Sequence, residues 1–159
     1  MNITIDDFTR LAAAIKEEEG LRLRAYRCPA GALTVGYGHN CDASPVNGVT
    51  RVGDRITYEE AEGIFHDDLH HAIIQVQSAL PFVENLSPPR QAVLFDMAFN
   101  MGIGIPEKSG LLSFTNTLRL IEQGDYEKAA QGMLSSKWAS QVKRRAEKLA
   151  SQMETGEWQ

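Results

Sequence analysis

The stretch Glu18-Glu19-Gly20-Leu21-Arg22-Leu23-Arg24-Ala25-Tyr26-Arg27-Cys28-Pro29-Ala30-Gly31-Ala32-Leu33-Thr34-Val35-Gly36-Tyr37-Gly38-His39 decides how this chain of 159 residues folds. Ahead of it, Phe8, Leu11, Ala12 and Ile15 recur at helical spacing behind the capping candidates Thr4, Asp6 and Asp7, which predicts a helix over about residues 5–18. Gly20 is placed to end it. Beyond the glycine the apolar residues alternate instead, Leu21/Leu23/Ala25 and then Leu33/Val35/Tyr37, the period of half-buried strands. The chain therefore turns from helix to a small sheet directly after an acid, Glu19. Such a junction can hold a carboxylate over a cleft while the sheet presents Cys28 and Thr34 from the other wall.

Working outward, residues 40–55 are rich in Gly, Asn, Asp and Ser and read as loop. Thr57-Tyr58-Glu59-Glu60 matches a capping box, the threonine accepting from the backbone three residues on while Glu60 reaches back. Ala61, Ile64, Phe65, Leu69, Ala72, Ile73, Val76 and Leu80 then keep helical period until Pro81. A helix of about 22 residues is about 33 Å long, so in a protein of this size it is expected to cross from one lobe to another. Ser87-Pro88 reads as a cap followed by proline in the first turn, where its missing N–H costs nothing. The helix it opens, to about Met101, is apolar on most faces and hence buried. Gly102-Ile103-Gly104-Ile105-Pro106 breaks the chain, and helices follow over about 110–122, 125–134 and 143–155, with a short turn near 136–140. The expectation is a single α+β domain over 1–159: a small β lobe at 19–56, a connecting helix at 57–80, a larger helical lobe from 1–18 and 81–159, and a cleft between the lobes.

Composition narrows the function classes. With 43% apolar and 23% charged residues the chain suits one soluble globular unit with a sizeable core. A net charge of -5 argues against a general nucleic-acid binder. The basic residues are uneven, however: Arg22, Arg24 and Arg27 lie near the expected cleft, and Lys137, Lys143, Arg144, Arg145 and Lys148 near the C-terminus. Cys28 and Cys41 form neither a disulfide framework nor a familiar zinc set, and read as free thiols of a reducing compartment. Leu11-Ala12-Ala13-Ala14-Ile15 is too short and too amphipathic for a signal peptide or membrane anchor. Gly36-x-Gly38 lacks the third glycine of a dinucleotide fingerprint. His66-Asp67-Asp68-Leu69-His70 mimics a zinc-protease pattern but has Asp67 where a longer glutamate would serve as base. No metal and no cofactor is expected.

Glu19-Gly20-Leu21-Arg22-Leu23, Tyr26 and Thr34-x-Gly36-x-Gly38-His39 together resemble the phage-type lysozymes, the endolysin muramidases of glycoside hydrolase family 24. The likeness continues through Arg90-Gln91-Ala92-Val93-Leu94, Met97-Ala98-Phe99-Asn100-Met101-Gly102, Phe114-Thr115-Asn116-Thr117-Leu118-Arg119, Lys137-Trp138, Arg145-Ala146 and Thr155-Gly156-x-Trp158, nearly the whole chain. It implies a lysozyme-like fold and the hydrolysis of a glycosidic bond, which needs a protonated acid for the leaving oxygen and a second group on the opposite face of the sugar.

By that resemblance Glu19 is the acid, a role that wants an apolar site to keep it protonated. Cys28 stands where the commonest family pattern has aspartate, nine residues after the glutamate. A thiolate can serve there as base or as nucleophile, although a free cysteine with a pKa near about 8.5 is mostly thiol at neutral pH unless Arg22, Arg24 or Arg27 lowers it; a bystander is the third reading, and Asp42 is the nearest spare carboxylate. Thr34 matches the threonine that orients the attacking water. This suits inversion, with the two catalytic groups about 6.5 to 9.5 Å apart. Arg145 matches the arginine that orients the glutamate, and since its charge would lower the acid's pKa, positioning is its role. Asp96 is expected to line the cleft, Phe114 and Asn116 to contact substrate, Trp138 to fill the core, and His39 to pair with Asp68.

The function implied is an endolysin cleaving the β-1,4 bond between N-acetylmuramic acid and N-acetylglucosamine in peptidoglycan, as a monomer held in the host bacterial cytoplasm until a membrane-permeabilising holin lets it through. A net negative enzyme is a mild surprise for a wall polymer that itself carries carboxylates. The competing reading is a catalytically weak wall-binding or membrane-disrupting protein that works through its basic C-terminal helix.

Overall fold

A computed structural model describes residues 3–159. The chain opens with helix α1 (Ile5–Glu19), followed by strands β1 (Arg22–Arg27), β2 (Leu33–Gly36) and β3 (His39–Asn40). Six further α-helices come after the sheet: α2 (Tyr58–Ala79), α3 (Pro88–Met101), α4 (Thr115–Glu122), α5 (Tyr126–Leu134), α6 (Lys137–Val142) and α7 (Arg144–Thr155). Single 3-10 turns lie at Pro81–Asn85 and Leu111–Ser113. The class is α+β, as expected. No helix among the described residues is long and apolar enough to cross a membrane.

Two compact units emerge, one of Ala12–His71 and one of Ala72–Gln159 with the described residues up to Leu11. The first holds an antiparallel sheet in the order β1-β2-β3. Helix α1, whose residues divide between the two units after Leu11, is capped by Thr4, whose hydroxyl accepts from the Asp7 N–H at 3.1 Å while the Asp7 carboxylate accepts from the Thr4 N–H at 2.9 Å. The box at the start of α2 is complete in the same sense, Glu60 N–H to Thr57 Oγ1 and Thr57 N–H to Glu60 Oε1, both 3.1 Å.

The strand periodicity needs correction. Leu21 and Leu23 are exposed and only Ala25 is buried, because β1 shifts register between Arg22 and Tyr26. There it bonds to the loop instead: Ile56 N–H to Leu23 carbonyl, Ala25 N–H to Asp54 carbonyl, Gly53 N–H to Ala25 carbonyl. β2 is central rather than half-buried, and every residue from Leu33 to Tyr37 is covered. Pairing on both edges satisfies its backbone groups, while burial of both faces needs cover above and below the sheet, such as Ile56 and Ala61 beside Gly36.

In the second unit α3 is the core helix, with Gln91 through Ala98 buried without interruption. Ser87 precedes it but does not cap through its side chain, and its hydroxyl is buried with no hydrogen-bond partner. Pro88 and Pro89 explain this, since a capping hydroxyl seeks an N–H two or three residues on and Pro89 has none. The helix expected over 110–122 splits at Phe114, whose ψ of 53° separates the 3-10 turn from α4. Arg90 fastens α3 to α7, donating from Nε to the Met153 carbonyl at 2.8 Å and from Nη2 to the Glu154 carbonyl at 2.9 Å.

Candidate active site

Glu19 is the last residue of α1, and Gly20 leaves the helix at φ 69°. Its half-buried carboxylate lies against Gly38, in the turn between β2 and β3. A Cβ at Gly38 would fall 2.8 Å from Glu19 Oε2, and Gly38 has φ 74°, so the site requires glycine for both space and backbone conformation. Gly38 was only part of a motif in the sequence. Its signal was a glycine two residues beyond another in a strand-like stretch, a mark of close backbone approach.

Cys28 opens the turn between β1 and β2. Its N–H donates to the Ala32 carbonyl at 3.0 Å and its carbonyl accepts from the Gly31 N–H at 2.7 Å. The half-buried thiol is held below its ordinary pKa, chiefly by the Ala32 N–H, against a contrary push from desolvation. The Thr34 hydroxyl and the Ala30 and Gly31 N–H groups add to the lowering. The arginines proposed for this task from sequence contribute nothing to it. Arg27 instead donates to the Gly31 carbonyl at 3.1 Å and faces Asp42 at 3.9 Å, and Asp42 in turn accepts from the Leu33 N–H at 3.1 Å.

Thr34 is 4% exposed, and its hydroxyl donates to the Ala32 carbonyl at 2.9 Å. A hydroxyl has a single proton, so Thr34 cannot serve that carbonyl and the sulfur together. In this structure the proton is given to the carbonyl. Cys41, 5% exposed, is a second free thiol whose pKa is raised by burial.

Two polar clusters stiffen this unit. Glu62 on α2 accepts from Lys16 Nζ at 2.6 Å and from the Tyr37 hydroxyl at 3.0 Å, while the Lys16 cation also lies 5.4 Å from the Tyr37 ring centre and 5.0 Å from that of Phe65. Burial, helped by Glu62, pushes the Tyr37 phenol up to about 12. His39 is 8% exposed, with Nδ1 2.7 Å from Asp68 Oδ2 and Nε2 2.8 Å from the Ser44 carbonyl. Both ring nitrogens face acceptors, so the imidazolium satisfies both, and the Asp68 hydrogen bond raises the His39 pKa.

A raised folded-state pKa gives stability that is fully present below the unfolded value of about 6.5 and is lost as pH rises through the folded value. Asp68→Asn should therefore lower the urea midpoint most in mildly acidic buffer, and the gap to the parent should narrow as pH climbs past the folded pKa. A gap that does not change with pH would show that the pair is not titrating.

In the second unit Asp96 on α3 and Arg145 on α7 are 3% and 6% exposed. Asp96 Oδ1 accepts from Arg145 Nε at 3.0 Å and lies 2.8 Å from Nη2. Phe114 and Trp138 meet edge to face at 6.0 Å, and both line a pocket of about 490 Å³ with Met101, Lys108, Lys137 and Gln141. Trp138 is otherwise buried, and its indole N–H donates to Asn100 Oδ1 at 2.8 Å, a partner the sequence reading did not single out. Asn116 is exposed outside that pocket and accepts from Arg119 at 3.3 Å. His66 and His70 stack at 6.3 Å, and no group of three or more His, Cys, Asp or Glu among the described residues is arranged to hold a metal.

The phage lysozyme family matches residues 16–154 of this chain. The endolysin of Acyrthosiphon pisum secondary endosymbiont phage 1 is 33% identical, over 79% of this chain and 74% of that protein. Probable T4-type lysozyme 1 of Dictyostelium discoideum is 28% identical, over 89% of this chain and 92% of that one. The pre-baseplate central spike protein of Enterobacteria phage T4 is 30% identical over 92% of this chain, which spans only 28% of the spike protein's length. The family match starts three residues before Glu19, ends within the last turn of α7, and spans the positions of Cys28, Thr34, Asp96, Phe114, Asn116 and Arg145. The chain belongs to the phage lysozyme family, a family of lysozyme-type hydrolases.

Proposed function

We propose that the chain is a muramidase that hydrolyses the β-1,4 bond between N-acetylmuramic acid and N-acetylglucosamine in peptidoglycan, and that its activity lyses a host cell once a holin opens the way out of the cytoplasm. Glu19 donates its proton to the leaving oxygen. Cys28 acts on the opposite face as the base that takes a proton from water. Thr34 turns its hydroxyl from the Ala32 carbonyl toward the sulfur and the water between them, and Arg145 orients the acid. Asp96 holds Arg145, and Phe114 and Asn116 border the sugar. Water attack from the face opposite the leaving group inverts the anomeric centre.

The observation that carries this reading is the environment of Cys28. A thiol is a poor substitute for the family's aspartate unless it ionises readily, and here backbone N–H groups and the Thr34 hydroxyl favour its anion. The same anion could attack carbon directly, but the single proton on Thr34 suits a shared water better, since the hydroxyl can then accept from the water it also directs.

Turbidity clearance of purified walls tests the assignment. Glu19→Gln and Cys28→Ser should each lose at least about 100-fold in rate, the usual weight of a general acid or base. Cys28→Asp should keep much of the parent rate, and the first product seen by NMR should be the inverted anomer. Undiminished clearance by Glu19→Gln would end the glycosidase reading, and equal rates for parent and Cys28→Ser would remove the sulfur from the mechanism.

A further inference from the structure

A second surface of the Ala12–His71 unit has no part in the chemistry above. Leu21, Arg22, Leu23, Arg24, Arg55 and Ile56 line an open groove of about 410 Å³ along the outer edge of β1. Arg24 stands directly opposite Arg55 in an antiparallel bridge, a like-charge pairing that ordinarily destabilises a sheet. Arg22 lies two residues along, its guanidinium stacked 4.2 Å over the Tyr26 ring and so held in place. All three arginines are exposed, and none has a carboxylate partner among the described residues. The unit's other arginines do find acids, Arg27 with Asp42 and Arg51 with Asp54. Exposed Leu21 and Leu23 alternate with these cations, and buried Ile56 contributes to the groove.

Three unpaired guanidiniums are therefore gathered on one groove in a chain of net charge -5. We propose that this groove binds the carboxylate-bearing peptide chains of the wall polymer, small apolar side chains lying on the leucines and Ile56 while the arginines take the carboxylates. The inference rests on peptidoglycan being the substrate, and it accounts for how a net negative protein engages a polymer of its own sign: the local field, not the total, meets the ligand. A concave site with apolar residues among its cations favours a short acidic peptide over a bare phosphate chain, which offers nothing to the leucines. The groove begins two residues after Glu19, on the same short unit of chain.

The test is a binding titration that does not depend on turnover, so it can succeed or fail separately from the muramidase reading. The parent, titrated by NMR with a soluble acidic wall tetrapeptide, should shift the amides of Leu21 to Arg24 and of Arg55 and Ile56. Raising the salt should weaken binding, as should amidating the peptide's carboxyls. Combined Arg22→Gln, Arg24→Gln and Arg55→Gln should weaken binding about tenfold, the sum of several exposed ion pairs. Arg51→Gln, which removes an arginine already paired with Asp54, should change affinity less than about twofold. Equal binding by parent and triple variant would overturn the proposal, as would shifts confined to other residues. So would tighter binding of poly(glycerol phosphate) or of anionic vesicles than of the peptide.

Discussion

Gly38→Ala should cost about 100-fold in wall hydrolysis while the chain still folds. The new methyl would lie 2.8 Å from Glu19 Oε2 and 3.6 Å from Cδ, closer than a carbon and an oxygen can rest. What gives way is the end of a side chain, so the fold survives and the carboxylate moves. Misplacing a reacting group by about 1 Å is enough to cost about 100-fold. The positive φ adds a backbone penalty of about 1–2 kcal/mol, visible as a modest drop in Tm. Clearance rates and thermal melting together decide the matter: a large loss in melting temperature would point to a folding defect, and full activity in a well-folded variant would show that the position of the Glu19 carboxylate does not matter to catalysis.

The largest effect on stability should come from Asp96→Ala. Arg145 is 6% exposed and Asp96 3%, so the change removes a buried carboxylate from a buried cation rather than trimming a surface pair. Breaking such a pair from one side costs about 3–5 kcal/mol. In a chain of this size that is a fall of about 10 °C in Tm. Asp96→Asn, which keeps an acceptor oxygen at the same place, should lose less. If urea unfolding puts Asp96→Ala within about 1 kcal/mol of the parent, the pair is not structural, and a direct part for Asp96 in binding sugar gains ground.

Local signals were legible in the sequence where the interactions they announce are local. Thr57 and Glu60 are three residues apart, and both of their bonds are in place. Proline and glycine marked the ends of α3 correctly, Pro88 and Gly102. The His39–Asp68 pair was reached through family resemblance, since nothing in residues 29 apart announces contact. Three misreadings share the opposite cause. Leu21 and Leu23 face outward because the loop at Gly53 to Ile56 bonds to β1 and shifts its register, a pairing that alternation cannot foresee. Thr34 is more deeply covered than a half-buried strand implies, because cover on the faces of β2 comes from distant parts of the chain that alternation does not report. The donors that lower the Cys28 pKa are backbone groups of its own turn, and backbone geometry is invisible to a search for nearby cations.

Helix termini are where a helix frays, and the acid sits on the terminal residue of α1. One turn back, Lys16 is gripped by Glu62 of α2 and held against the faces of Tyr37 and Phe65. Under the mechanism proposed above, opening of this clasp would free the last turn of α1 and displace Glu19, so the lifetime of the clasp would bound how long the proposed proton donor stays in position.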